Sequence, residues 1–179
     1  IYASGGRYPF PLFNERSNCR LGEGLGDDAM LHAERIQVAL AAMSRFAAIM
    51  KAMGVTTIHA VATAAVRRAR NATEFIGPAE AIIGQPIEVL SQAEEAHFVS
   101  RGLTLNLPDA TGFVADLGGG SLEVVKLDGG VAQQATSFNF GHLSAVTEEE
   151  IQDAFDRTPW LTGDSSTKIY GVGGSFRAL

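Results

Sequence analysis

Asp116-Leu117-Gly118-Gly119-Gly120-Ser121-Leu122-Glu123 sets three consecutive glycines between two apolar runs, Phe113–Leu117 and Ser121–Leu127. Val, Leu and Phe dominate both runs, so each suits a buried strand. A third run, Val131–Phe140, follows Asp128-Gly129-Gly130, and Asp-Gly is a strong hairpin signal. The three runs predict a β-meander. Glycines between strands can take positive φ, and their N–H groups can then form an anion-binding nest. No Gly-Lys-Ser/Thr follows, so this is not a Walker A loop. A strand follows and not a helix, which excludes the dinucleotide fingerprint. Ser121 and Glu123 share a strand face by the period of two, and Asp116 enters from the preceding strand end. A hydroxyl, two carboxylates and amide donors around one space suit an Mg²⁺–phosphate site. A plain hairpin turn with solvated acids at its rim would use the same residues.

Downstream, Thr147 with Glu150 forms a capping box for a helix to about Asp156. Ile169–Val172 reads as a last strand, and Gly171-Val172-Gly173-Gly174-Ser175 is a second glycine loop at its end. Upstream, helices and strands alternate, which predicts an α/β layer. Residues 1–26 read as loop or edge strand. Asp27 or Asp28 can cap a helix to about Met53, stopped by Gly54. Its apolar stripe is Ile36, Leu40, Met43, Ala47 and Met50, and the four Met read as core filler within it. Val55–Thr63 follows as a strand and Ala64–Arg70 as a turn or short helix. The latter carries Arg67, Arg68 and Arg70, either a phosphate partner or a solvated basic turn. Thr73–Ile83 is helical by pattern, although Gly77-Pro78 should break or kink it. Ile87–Leu90 is a short strand, and Ser91 opens a helix to about Arg101. Ser91-x-x-Glu94 is a capping box, so Glu94 reaches back to Ser91 or, like Glu95, stands as a general base at a helix start. The pattern itself favours the cap. The change of style near residues 91–110 predicts two lobes, 1–91 and 92–179.

Composition narrows the function. The 179 residues are 46% hydrophobic and 19% charged, which is globular. A net charge of −6 and a pI near 5.2 disfavour general nucleic-acid binding, so an anionic ligand needs a local site. The single Cys19 excludes a disulfide framework and a cysteine zinc cage. His32, His59, His97 and His142 are scattered without metal-ligand spacing. No apolar run approaches the ~20 residues of a membrane span, and no basic-then-apolar leader opens the chain. The expectation is a cytoplasmic protein without a membrane partner.

Four ordered segments carry a resemblance. Ala62-Thr63-Ala64-Ala65-Val66-Arg67-Arg68-Ala69-Arg70-Asn71 resembles the A-T-x-A-x-R-x-A-x-N segment of exopolyphosphatase / guanosine pentaphosphate phosphohydrolases. Ile87-Glu88-Val89-Leu90-Ser91 with Glu94-Glu95-Ala96 is similar to their I-x-V-L-S-G-x-E-E-A. Asp116–Glu123 resembles their D-x-G-G-G-S-x-E, and Gly171–Arg177 their G-x-G-G-[ST]-x-R. Phe140-Gly141-His142-Leu143-Ser144 is similar to their L-G-x-L-R turn, with Ser144 where Arg is usual.

The resemblance implies the α/β actin/hsp70/sugar-kinase fold, two ribonuclease-H-like lobes around a central cleft, truncated here at both ends. An Asp-x-Gly-Ser-Asn strand would precede Ile1, and further helices would follow Leu179. It implies Mg²⁺-dependent hydrolysis of the terminal phosphoanhydride of inorganic polyphosphate or guanosine pentaphosphate. By the same resemblance Glu94 activates the attacking water, and Glu123 and Asp116 stand near metal and water. Gly118, Gly119, Gly120 and Ser121 form one phosphate loop, and Gly173, Gly174 and Ser175 the other. Arg67 binds phosphate. A phosphotransferase of the same fold and a non-catalytic phosphate-ligand sensor are the alternatives, and a homodimer is left open.

Overall fold

A computed structural model describes residues 1–3, 10–25, 29–161, 163 and 166–176. The chain divides into two compact units, Ile1–Val89 and Leu90–Leu179.

The first unit opens with a short antiparallel pair, β1 (Tyr2–Ala3) and β2 (Phe10–Pro11). Then come α1 (Ala33–Ala52), β3 (Ala60–Ala62), α2 (Ala64–Arg68), α3 (Thr73–Ile83) and β4 (Ile87–Val89). Strands β3 and β4 pair in parallel. The cap expected at Asp27 or Asp28 lies outside the described residues. The helix instead begins after His32, whose side chain makes no cap bond. Its end is as expected, with Gly54 at a φ of +66°. Only part of the predicted stripe is its buried centre. Ile36, Ala39 and Ala42 are buried, and Leu40 and Met43 flank them. Small alanines at the centre let α1 approach α3, where Ala79 is fully buried. The methionines do not all fill the core, because Met30 precedes the helix and Met53 follows it, both exposed.

Two further expectations are corrected. The strand predicted over Val55–Thr63 is confined to Ala60–Ala62, since the ladder with Ile87–Val89 spans only those residues. Gly77-Pro78 does not break α3. Phe75, Ala79 and Ile83 lie one turn apart and are all buried, and this stripe carries the helix across the missing Pro78 N–H. Asn71 then fixes the loop ahead of α1. Its Oδ1 accepts from Leu31 N–H at 2.8 Å, and its Nδ2 donates to Leu31 O and Glu74 Oε2, each at 3.1 Å.

The second unit holds α4 (Gln92–Thr104), β5 (Gly112–Leu117), β6 (Leu122–Asp128), β7 (Val131–Phe138), α5 (Glu148–Asp156), β8 (Ile169–Val172) and the single turn α6 (Gly173–Phe176). The predicted meander is present, and β8 adds in parallel beside β5 to give the order β7-β6-β5-β8. Gly129 and Gly130, at φ +53° and +77°, supply the two positive φ values of a type I′ hairpin. On one face Val114, Val125 and Leu127 bury against Ala96, Val99 and Leu103 of α4. Full burial of such a side chain contributes roughly 1.5–3 kcal/mol. On the other face Phe113, Val124 and Phe138 pack with Ala154 of α5.

Both capping boxes form. Thr147 Oγ1 accepts from Glu150 N–H at 3.2 Å while Glu150 Oε2 accepts from Thr147 N–H at 2.8 Å. Thr147→Ala removes the hydroxyl acceptor and is expected to destabilise this unit by about 1 kcal/mol; an unchanged denaturant midpoint would mean that α5 does not need its cap. Among the described residues, no helix is long and apolar enough to cross a membrane.

Candidate active site

The carboxyl ends of the parallel strands β5 and β8 meet at one edge of the second unit. Ligands of open α/β sheets bind outside such strand ends. Asp116 lies one residue from the end of β5, opposite Glu123 of β6 and Val172 of β8. Glu123 in turn lies opposite Ser137 of β7. Direct cross-strand neighbours share a face, so Asp116, Glu123 and Ser137 form one row. The same face is apolar farther back, where α4 covers it.

Glu123 is among the most buried side chains of the chain, and Ser121 beside it is buried too. Ser137 Oγ donates to Glu123 Oε1 at 2.9 Å, and Ser121 also hydrogen-bonds the carboxylate. Burial nevertheless raises the Glu123 pKa above the ordinary carboxylate range, with added repulsion from Glu95 and Asp116. Burial, then the Glu95 charge, raises Asp116 as well. The Glu95 charge from α4 therefore bears on both carboxylates, on β5 and β6, at this edge.

Glu94 is not one of them. Its Oε2 accepts from Ser91 N–H at 2.8 Å and Ser91 Oγ–H at 2.7 Å. Those bonds lower its pKa, and the side chain is open to solvent. The carboxylate that the resemblance assigns to water activation is thus held by the helix cap. Glu95, about 100° farther round the helix, is the one whose charge reaches Asp116 and Glu123. The capping box was itself the signal, because a glutamate that completes one has its carboxylate turned back along its own helix start.

The first glycine loop differs from expectation in its backbone. Gly118, Gly119 and Gly120 all avoid positive φ. Their smallness is used for close approach: Gly141 lies so near the Gly119 backbone that any Cβ at 141 would strike it. Gly118 N–H closes the turn on Ser121 O at 2.9 Å. Gly118 O and Gly119 O accept from His142 N–H at 3.0 Å and Leu143 N–H at 2.9 Å. Among the described residues, no hydrogen bond uses the N–H of Gly119 or Gly120. In the second loop Gly173 has a φ of +87° and lies against Asp116 Oδ1, where a Cβ would collide. Ser175 Oγ donates to Leu117 O at 2.7 Å. Gly174 lies between them on α6. Arg67 belongs to the first unit, half-buried on α2, whereas Arg68 and Arg70 are exposed; the Arg177 of the resemblance lies outside the described residues.

A model of the Ppx/GppA phosphatase family matches residues 1–157. The chain belongs to that family. Solved structures agree with the assignment. An exopolyphosphatase from Cytophaga hutchinsonii is 25% identical with a TM-score of 0.79, over 94% of this chain and 60% of that one. An exopolyphosphatase-like protein is 29% identical with a TM-score of 0.69, over 88% and 56%. The Aquifex aeolicus member of the Ppx/GppA family is 26% identical with a TM-score of 0.62, over 87% and 55%. The fold is therefore the actin-like α/β fold of the Ppx/GppA phosphatases, and the chain spans a little over half the length of these relatives. Ser137 and His142, to which sequence reading assigned no role, make contacts at this edge, Ser137 with Glu123 and His142 with Gly118 O.

Proposed function

We propose that this Ppx/GppA chain carries part of a phosphoanhydride hydrolase site that releases the terminal phosphate of inorganic polyphosphate or guanosine pentaphosphate. The observation that carries the reading is Asp116 set directly opposite the buried Glu123, both raised in pKa by burial and by the Glu95 charge. Neighbouring carboxylates with raised pKa call for a cation, and such groups cluster where chemistry is done.

Among the described residues, no three His, Cys, Asp or Glu side chains converge closely enough to cage a metal. Asp116 and Glu123, adjacent across the strands, fit Mg²⁺, which takes one or two carboxylates and completes its shell with water and phosphate oxygens. Bound there, Mg²⁺ would supply positive charge to the phosphate oxygens. Glu95 orients a water and accepts its proton as the water oxygen bonds to the terminal phosphorus. The bridging P–O bond breaks, and the shortened chain leaves with its oxygen. Gly119 and Gly120 N–H donate to the oxygens that gain charge, an electrostatic role that suits phosphoryl transfer. Ser121 and Ser137 hold Glu123 in place.

Release of orthophosphate from polyphosphate without any acceptor tests the reading. Turnover only with an added acceptor would make the chain a kinase, and binding without turnover a sensor. The resemblance also gives Arg67 a phosphate contact, and of the three arginines it is the one partly buried. Arg67→Ala is expected to weaken tripolyphosphate binding by about 1.5–3 kcal/mol, the range for a hydrogen bond to a charged group. Calorimetry should find much less for Arg70→Ala; equal losses would indicate a diffuse basic patch.

A further inference from the structure

We propose that His142 is a positioning residue that pins the first glycine loop to the second and so aims the loop's amide donors. The inference deepens the phosphate-binding reading and rests on it for the ligand alone. His142 Nδ1 lies 2.9 Å from Gly118 O, and a carbonyl can only accept, so Nδ1 carries the proton. The same Nδ1 lies 3.3 Å from Ser175 Oγ. That hydroxyl spends its own proton on Leu117 O at 2.7 Å and is left as an acceptor. One ring N–H therefore bridges the Gly118–Gly120 loop and the Gly173–Ser175 loop.

Peptide geometry gives the bridge its use. In a trans peptide the C=O of one residue and the N–H of the next point in opposite directions. Gly118 O is gripped twice by His142, through its backbone N–H at 3.0 Å and through Nδ1. Gly119 N–H must then point away from His142. Leu143 N–H holds Gly119 O at 2.9 Å and turns Gly120 N–H the same way. Three glycines in a row would otherwise leave these peptides free to rotate. Gly141 lets the strap lie flat on Gly119, and among the described residues His142 is the one side chain that adds a second bond from it to the loop carbonyls.

Two measurements on the full chain test this: backbone order parameters of Gly119 and Gly120 from ¹⁵N relaxation, and calorimetric binding of inorganic tripolyphosphate with Mg²⁺. His142→Asn places an amide N–H where Nδ1 stands, whereas His142→Gln carries its amide too far out and His142→Ala has none. In the wild type and His142→Asn, both glycines should stay near the rigid value of about 0.85. In His142→Ala and His142→Gln they should fall below about 0.6, with affinity about tenfold weaker, the upper range for one neutral hydrogen bond. His142 is exposed, so all three variants should keep the wild-type melting temperature. A rigid loop in His142→Ala, or an Asn variant as loose as the Ala variant, would overturn the pin whatever the ligand. If the wild type does not bind tripolyphosphate, the phosphate reading fails, and the order parameters still judge the pin.

Discussion

Glu95→Gln is expected to lower phosphate release from polyphosphate by about 10²–10⁴-fold, the usual loss when a general base is removed, with little change in KM. Gln keeps the shape of the side chain but cannot take the water's proton. Glu94→Gln, by contrast, should turn over almost normally. Its amide oxygen can still accept from Ser91 N–H, so the cap of α4 survives. The pair separates two roles that adjacent glutamates could each claim. A readout independent of turnover accompanies it. The Glu95 charge contributes to raising both Asp116 and Glu123, so removing it should lower both carboxyl titrations, as ¹³C NMR can follow. Glu94→Gln should leave them in place. Normal activity in Glu95→Gln with loss in Glu94→Gln would return the base to the capping residue and overturn the assignment.

The parts of the molecule legible in sequence are those set by local chemistry. Ser91 with Glu94 and Thr147 with Glu150 opened helices as read, because a capping box is complete within four residues. The Asp128-Gly129-Gly130 turn and the apolar runs around it predicted the meander. What sequence could not show depends on partners distant along the chain. Val55–Thr63 reads as a strand by composition, but a strand lasts only as far as its ladder. Pro78 reads as a break, but a buried stripe on both sides of it holds α3 together. Ser137 is the most instructive case. Counting back from the two-residue hairpin would set Glu123 opposite Thr136. A bulge between Lys126 and Leu127 takes up Gln133 and moves the register by one residue, and Ser137 arrives opposite Glu123 instead. Nothing in the sequence marks that bulge, so the hydroxyl that holds the buried carboxylate was invisible. His142 was invisible for the same reason, since its partners Gly118 and Ser175 are remote in sequence.

Glu123→Gln should make the second unit more stable at neutral and alkaline pH while removing its response to Mg²⁺. Glu123 is buried and its pKa is raised in the fold, chiefly by burial. The folded state therefore holds a proton that the unfolded state has already released, between the ordinary carboxylate range and the raised value. In that window stability falls as pH rises, and above it the whole cost of the buried charge is expressed. Gln carries no charge, fills nearly the same volume and can still accept from Ser137. Removing the charge takes away a desolvation penalty of roughly several kcal/mol per buried ion, part of which its hydrogen bonds had offset, and each kcal/mol recovered raises the melting temperature of a unit this size by roughly 4–8 °C. The gap between variant and wild type should open from about pH 5 upward and close below the ordinary carboxylate range. Millimolar Mg²⁺ should raise the wild-type melting temperature at pH 8, since a cation beside Asp116 and Glu123 relieves their repulsion, and should do much less for the variant. A protein that becomes more stable as it loses its metal response has kept a strained carboxylate for its chemistry. A variant less stable than the wild type at pH 8, with the Mg²⁺ shift intact, would show that Glu123 serves the fold and that the cation is held elsewhere.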